Sequence, residues 1–153
     1  MRCNVEVDRA GYRFRVARGF LEEALQDVEL ERWRSAVDNA QLSVENAAKS
    51  VLALVGPVGW THNPAVLLRR LLGDGVFTKE VKELVQSLAE HAEMLGKDIH
   101  IQTDYGDELG GRTPWELFDE QDARQALARA KEAVSLAEAV IQETRNKDRE
   151  VKM

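Results

Sequence analysis

A chain of 153 residues has the size of one domain built around a single core. With 44% hydrophobic and 31% charged residues it is not a disordered polymer, and with 3 prolines in a background rich in Ala, Leu, Glu, Arg and Lys it favours helix. The net charge of −6 argues against general nucleic-acid binding, which draws on a basic surface.

The charge is unevenly placed. Residues 1–18 hold five arginines against Glu6 and Asp8, a balance of +3, whereas residues 79–111 hold eight acids against Lys79, Lys82 and Lys97, a balance of −5. These are either two solvated faces of opposite sign or the halves of a complementary contact. Cys3 is the single cysteine, so an intrachain disulfide and a multi-thiolate metal site are both excluded. The longest apolar stretch, 51–60, is interrupted by Gly56, Pro57 and Gly59 and falls well short of the ~20 residues a bilayer span needs. The first residues lack the apolar run of a signal peptide. A cytoplasmic protein without cofactor or metal is the expectation.

In chain order, Ala17, Phe20, Leu21, Ala24, Leu25 and Val28 recur at three- and four-residue steps and predict a helix from about Asp8 to Asp27. No Gly or Pro marks its end, and a break is expected between Val28 and Glu31. Trp33, Val37, Ala40, Val44, Ala47, Ala48, Val51, Leu52 and Val55 predict a second helix, stopped by Gly56-Pro57. A short helix follows from Pro64 to Leu72, with Pro64 suited to a first helical position. Thr78 is the expected N-cap of a third long helix, whose stripe runs from Val81 to Leu95. Residues 97–118, with Gly106, Gly110, Gly111 and Pro114, read as a long loop, and loops of that length are often functional. The last helix opens at Asp119, and its Ala-rich stripe extends to Ile141.

This pattern predicts an all-α, antiparallel up-and-down four-helix bundle with one additional short helix. A single domain over 1–146 and a charged, fraying tail over 147–153 are expected.

Several segments in order resemble the HEPN family. Phe20-Leu21-Glu22-Glu23-Ala24 is similar to the family's first-helix pattern, and Asn46-Ala47-Ala48-Lys49 to its second helix. Thr61-His62 with Leu67-Leu68 and Leu71-Leu72 resembles the segment after it. Thr103-Asp104-Tyr105-Gly106-Asp107 stands where many prokaryotic members carry an Arg-Tyr-Pro-Asp loop, with Asp104 in place of arginine and Gly106 in place of proline. Phe118, Asp122-Ala123, Ala126-Leu127 and Ala130 are similar to the opening of the final helix. The resemblance covers about residues 17–142. It implies a HEPN-like bundle, a homodimer, an accessory or toxin–antitoxin role beside a minimal nucleotidyltransferase, and nucleotide as a ligand.

HEPN ribonucleases use an arginine followed by a histidine after four to six residues. Residues 55–57 before His62, 84–86 before His91 and 93–95 before His100 contain no arginine, so that motif is absent and no catalytic residue is assigned. The Glu-x-x-His pattern of di-iron bundles is also absent, since Gly59, Leu88 and Lys97 hold the required positions. A phosphate-binding loop and a dinucleotide-binding glycine pattern are missing too.

The candidates for ligand or partner binding are Glu45, Lys49, His62, His100, Asp104, Tyr105, Asp107, Arg112 and Trp115. Each has a plainer reading. Glu45 and Lys49 stand four apart, as in a helical ion pair worth a few tenths of a kcal/mol. His62 can serve only to enter a helix. Asp104, Tyr105, Asp107 and Glu108 can form a solvated acidic loop, or meet a cation or a basic partner. Trp115 and Phe118 can anchor the loop to the bundle, or Trp115 can anchor an interface. A divergent ribonuclease or toxin would rely on His100, Tyr105 and Arg112, and a purely structural bundle is a third possibility.

Overall fold

Helix α1 spans Arg9–Glu29, and Asp8 caps it by accepting the Gly11 amide at 2.9 Å. The computed structural model describes residues 8–152, so Cys3 lies outside the described residues, as does Arg2 of the basic N-terminal run, whereas Arg9, Arg13, Arg15 and Arg18 fall within α1. The expected break between α1 and α2 is present, and its cause is backbone geometry. Glu31 adopts a left-handed conformation at φ 58°, its amide donates to the Val28 carbonyl at 3.1 Å, and the Arg32 amide donates to the Asp27 carbonyl at 2.8 Å. This is the pairing of a Schellman cap, with glutamate where glycine usually sits.

A left-handed conformation costs an L-residue about 1 kcal/mol. Glu31→Gly is therefore expected to raise stability by up to about 1 kcal/mol, discounted by the extra freedom glycine brings to the unfolded chain. Chemical denaturation measures it. A loss of stability would show that the Glu31 side chain contributes more than its backbone costs.

Helix α2 (Trp33–Val55) lies at the centre and packs on α1, α7, α3, α4 and α5. Both of its sides are therefore covered, and its buried set includes Gln41, Glu45, Asn46 and Lys49 beside the expected apolar stripe. Alanines let α1 approach it closely: Ala17, Ala24, Ala36, Ala40 and Ala47 are all fully buried, and the Ser43 hydroxyl reaches the Ala17 carbonyl at 2.7 Å. Buried Asp27 ties the two helices together near the turn, accepting from Ser35 at 2.8 Å and Asn39 at 2.7 Å.

The remaining elements are α3 (Pro64–Gly73), α4 (Lys79–Met94), α5 (Lys97–Tyr105), α6 (Pro114–Leu117) and α7 (Glu120–Lys152). Four long helices, α1, α2, α4 and α7, form the bundle, and α3 packs on α4 and α2. Leu68, Val85, Leu88 and Val140 are fully buried in its core. His91 joins α4 to α7. Its Nδ1 accepts from Arg129 at 3.3 Å, and its Nε2 lies 3.3 Å from the Glu132 carboxylate. Among the described residues no helix is long and apolar enough to cross a membrane.

Two expectations are corrected. Residues 97–118 are not a structureless loop; they hold α5, a turn closed by the Asp107–Arg112 bridge, and α6, so the bundle carries three short helices rather than one. The last helix does not stop near 146 but continues to Lys152. Its exposed final turns are braced by Arg145 paired with Asp8, and by Lys147 donating to Thr78 at 2.8 Å.

Candidate site on the polar row of the central helix

Arg34, Asp38, Gln41, Glu45 and Lys49 follow one another at steps of four, three, four and four residues, which places them along one side of α2. The partners of this row come from α5 and from the turn before α3. At its N-terminal end Arg34 donates to the Thr103 carbonyl at 2.9 Å and lies 3.6 Å from Asp38. The Thr103 hydroxyl stands 3.3 Å from Asp38 and 2.9 Å from the His100 carbonyl. Thr103 is the single buried residue of α5, and this short helix is held to the bundle by these polar contacts together with Ile99, which packs against the core.

Further along the row, His100 Nδ1 lies 3.2 Å from the Gln41 side-chain oxygen, and His62 Nδ1 lies 3.2 Å from Glu45 Oε1. The other oxygen of Glu45 faces Lys49 at 3.3 Å. The imidazoles of His62 and His100 stack on each other, with centroids 4.6 Å apart and planes 16° from parallel.

An amide oxygen and a carboxylate can only accept, so each Nδ1 donates, and in the neutral form of either ring Nε2 is the acceptor. Neither Nε2 has a protein partner among the described residues. Two anchored, stacked acceptors of this kind can bind a hydrogen-bond donor or exchange a proton with a ligand.

Asp38 titrates above the ordinary carboxylate range. Burial is the first cause and the nearby Asp104 charge the second; Arg34, the Thr103 hydroxyl and His100 oppose them. Because folding raises this pKa, the folded chain holds the proton more tightly than the unfolded chain. The resulting stabilisation is complete below the unfolded pKa and is lost as pH climbs through the folded one. Asp38→Asn, which keeps an oxygen facing Thr103, is therefore expected to gain stability relative to wild type as pH rises from about 4 to about 7. Paired melting curves across that range check it. A difference between the two proteins that stays constant with pH would contradict it.

The structure brings Glu45, Lys49, His62 and His100 together, with Asp104 close enough to act on Asp38. It separates the rest. Tyr105 points away and is exposed. Asp107 caps its own turn by accepting the Gly110 amide at 2.9 Å, and Arg112 donates to the Glu116 carbonyl at 2.9 Å, so both side chains serve the turn. Phe118, at 8% exposure, anchors the segment, whereas Trp115 is 73% exposed and does not. Its indole instead lies beside the Arg34 guanidinium, 5.8 Å from ring centroid to Cζ.

Glu45 and Lys49 form the expected helical ion pair, but it is buried rather than solvated, so its worth of a few tenths of a kcal/mol is what the structure corrects. Their side chains are only 5% and 9% exposed, because the turn before α3 covers this side of α2. Arg34, Asp38, Gln41 and Thr103 belong to the constellation although none stood among the sequence candidates.

The fold is a helical bundle of the HEPN type. The HEPN domain matches residues 10–141, and the chain belongs to that family. Among solved structures it is similar to the crystal structure of TT1696 from Thermus thermophilus, at 24% identity and a TM-score of 0.66. That match covers 88% of this chain and 99% of the other, and it establishes a common fold. No curated protein matches the chain.

Proposed function

We propose that this HEPN-family chain is an accessory protein that works with a minimal nucleotidyltransferase, and that the row on α2 with its two histidines is the contact site. The observation that carries the site is the stacked pair. Both rings are fixed through Nδ1, both Nε2 atoms are uncommitted among the described residues, and His62 is 52% exposed on its side chain. A buried polar row costs stability unless each group is satisfied, and here the satisfied row holds two reactive nitrogens at the surface. The nucleotidyltransferase itself is suggested by the family, as are nucleotide binding and a toxin–antitoxin setting.

The working unit is a homodimer. Tyr12 on α1 is 52% exposed with the Arg15 guanidinium 6.0 Å from its ring centroid, a surface suited to a symmetric contact. Co-expression and co-purification with a minimal nucleotidyltransferase, followed by light scattering, test the reading. A stable complex containing two copies of this chain is expected; a lone monomer that ignores the nucleotidyltransferase would overturn it.

One observation favours a second reading. Two adjacent imidazoles anchored through Nδ1 could serve RNA cleavage, one accepting a proton at Nε2 and the other, in its protonated form, donating one, as a divergent ribonuclease would require. RNA cleavage lost on His100→Ala would promote that reading over the accessory role.

A further inference from the structure

A cavity of about 390 Å³ opens beside the turn between α1 and α2, away from the histidine pair, and is lined by Arg32, Trp33, Arg34, Ser35, Trp115 and Phe118 together with Glu31. Its volume lies within the range of small-molecule sites. Its walls are aromatic, and their roles differ. Phe118 is buried and gives a firm base, while Trp115 leaves most of its indole open.

The Arg34 guanidinium cannot swing freely, because the Thr103 carbonyl and Asp38 hold it beside the Trp115 ring. A guanidinium fixed in this way steadies the indole as a stacking surface. Arg32 is exposed and makes no ion pair among the described residues, so its charge is available to a ligand. Glu31 carries the opposing charge at the lip, so an anion must settle on the Arg32 side of the cleft. Arg34, already paired with Asp38, adds little to that balance.

We infer that this cleft binds a planar aromatic anion, its ring stacked on Trp115 and its negative group paired with Arg32. Stacking alone would admit a neutral ring, and the cation alone would admit any anion; the combination selects molecules carrying both. A nucleoside monophosphate and an aromatic carboxylate share that chemistry. The inference does not depend on the accessory role or on the histidine site.

The test is fluorescence titration of the full chain carrying Trp60→Phe, which removes a fully exposed indole that does not line the cavity. Four probes separate the contributions: adenosine 5′-monophosphate, indole-3-acetate, adenosine, and ribose 5-phosphate. Saturable binding of at least one of the first two is expected, with the last two weaker by roughly tenfold. Which of the two planar anions binds more tightly distinguishes a nucleotide site from a carboxylate site. Arg32→Ala, a surface change that leaves the fold intact, is expected to weaken the preferred probe by roughly tenfold. Trp115→Leu should do the same, read beside a melting curve because α6 is short. Equal binding of ribose 5-phosphate, indifference to Arg32→Ala, or the absence of saturable binding by both planar anions would each overturn the inference.

Discussion

Lys49→Met is expected to lower the stability of this chain by about 3 kcal/mol. The substitution keeps most of the apolar stem and removes the charge, leaving the Glu45 carboxylate buried with only His62 beside it. A surface pair at the same spacing would lose a few tenths of a kcal/mol, so the two readings differ by nearly an order of magnitude. Burial decides between them, because removing one partner strands the other without solvent. Replacing both partners, as Glu45→Gln with Lys49→Met, is expected to recover a large part of the loss. Urea denaturation of the wild type, both single variants and the double variant closes the cycle. Additive losses, or a Lys49→Met cost below about 0.5 kcal/mol, would show that the pair behaves as an exposed one.

The second large effect is expected at Gly106, where proline is common in the loop this segment resembles. Its backbone stands at φ 70° and ψ −150°, a combination open in practice to glycine alone. A Cβ there would lie 2.5 Å from the Arg112 carbonyl oxygen and 2.8 Å from the Pro114 nitrogen, both backbone atoms that cannot step aside. Its amide also donates to the Gln102 carbonyl at 2.9 Å, a bond proline cannot make. Gly106→Pro is expected to cost about 3 kcal/mol and to loosen α5 from α2. Hydrogen exchange should show faster exchange across 97–117 with the bundle core unchanged. Wild-type protection in that segment would mean that the turn accommodates proline by another route. The glycine here is thus part of this chain's own turn geometry, which differs from that of the resembling loop.

The four long helices were legible because each buries an apolar stripe at helical spacing, and Gly56-Pro57 gave α2 an unmistakable end. Helix α5 was not legible. It has nine residues, includes Ile99, Ile101 and Thr103 with weak helix preference, and lies between Gly96 and Gly106. An isolated helix that short is marginal, and its contacts with Asp38, Gln41 and Arg34 are distant in sequence.

The site was legible in part for a related reason. Histidines and a Glu–Lys pair draw notice in any sequence, but Gln41 and Thr103 look like ordinary polar residues until the fold buries them. A signal did exist. The polar row from Arg34 to Lys49 keeps helical spacing inside a helix whose other side is already apolar, and such a helix is covered on both sides. The turn after α1 lacks its usual glycine marker because Glu31 bears the strain that glycine would relieve.

Calorimetric titration of a minimal nucleotidyltransferase with wild type and with the His62→Ala/His100→Ala double variant tests the proposed site most directly. Circular dichroism should first show equal helicity for both, since the two rings contribute little to the core. Binding by the wild type is expected, with a loss of at least roughly tenfold in the double variant, the equivalent of about 1.4 kcal/mol. Equal affinity of two equally folded proteins would contradict it and remove the stacked histidines from the contact.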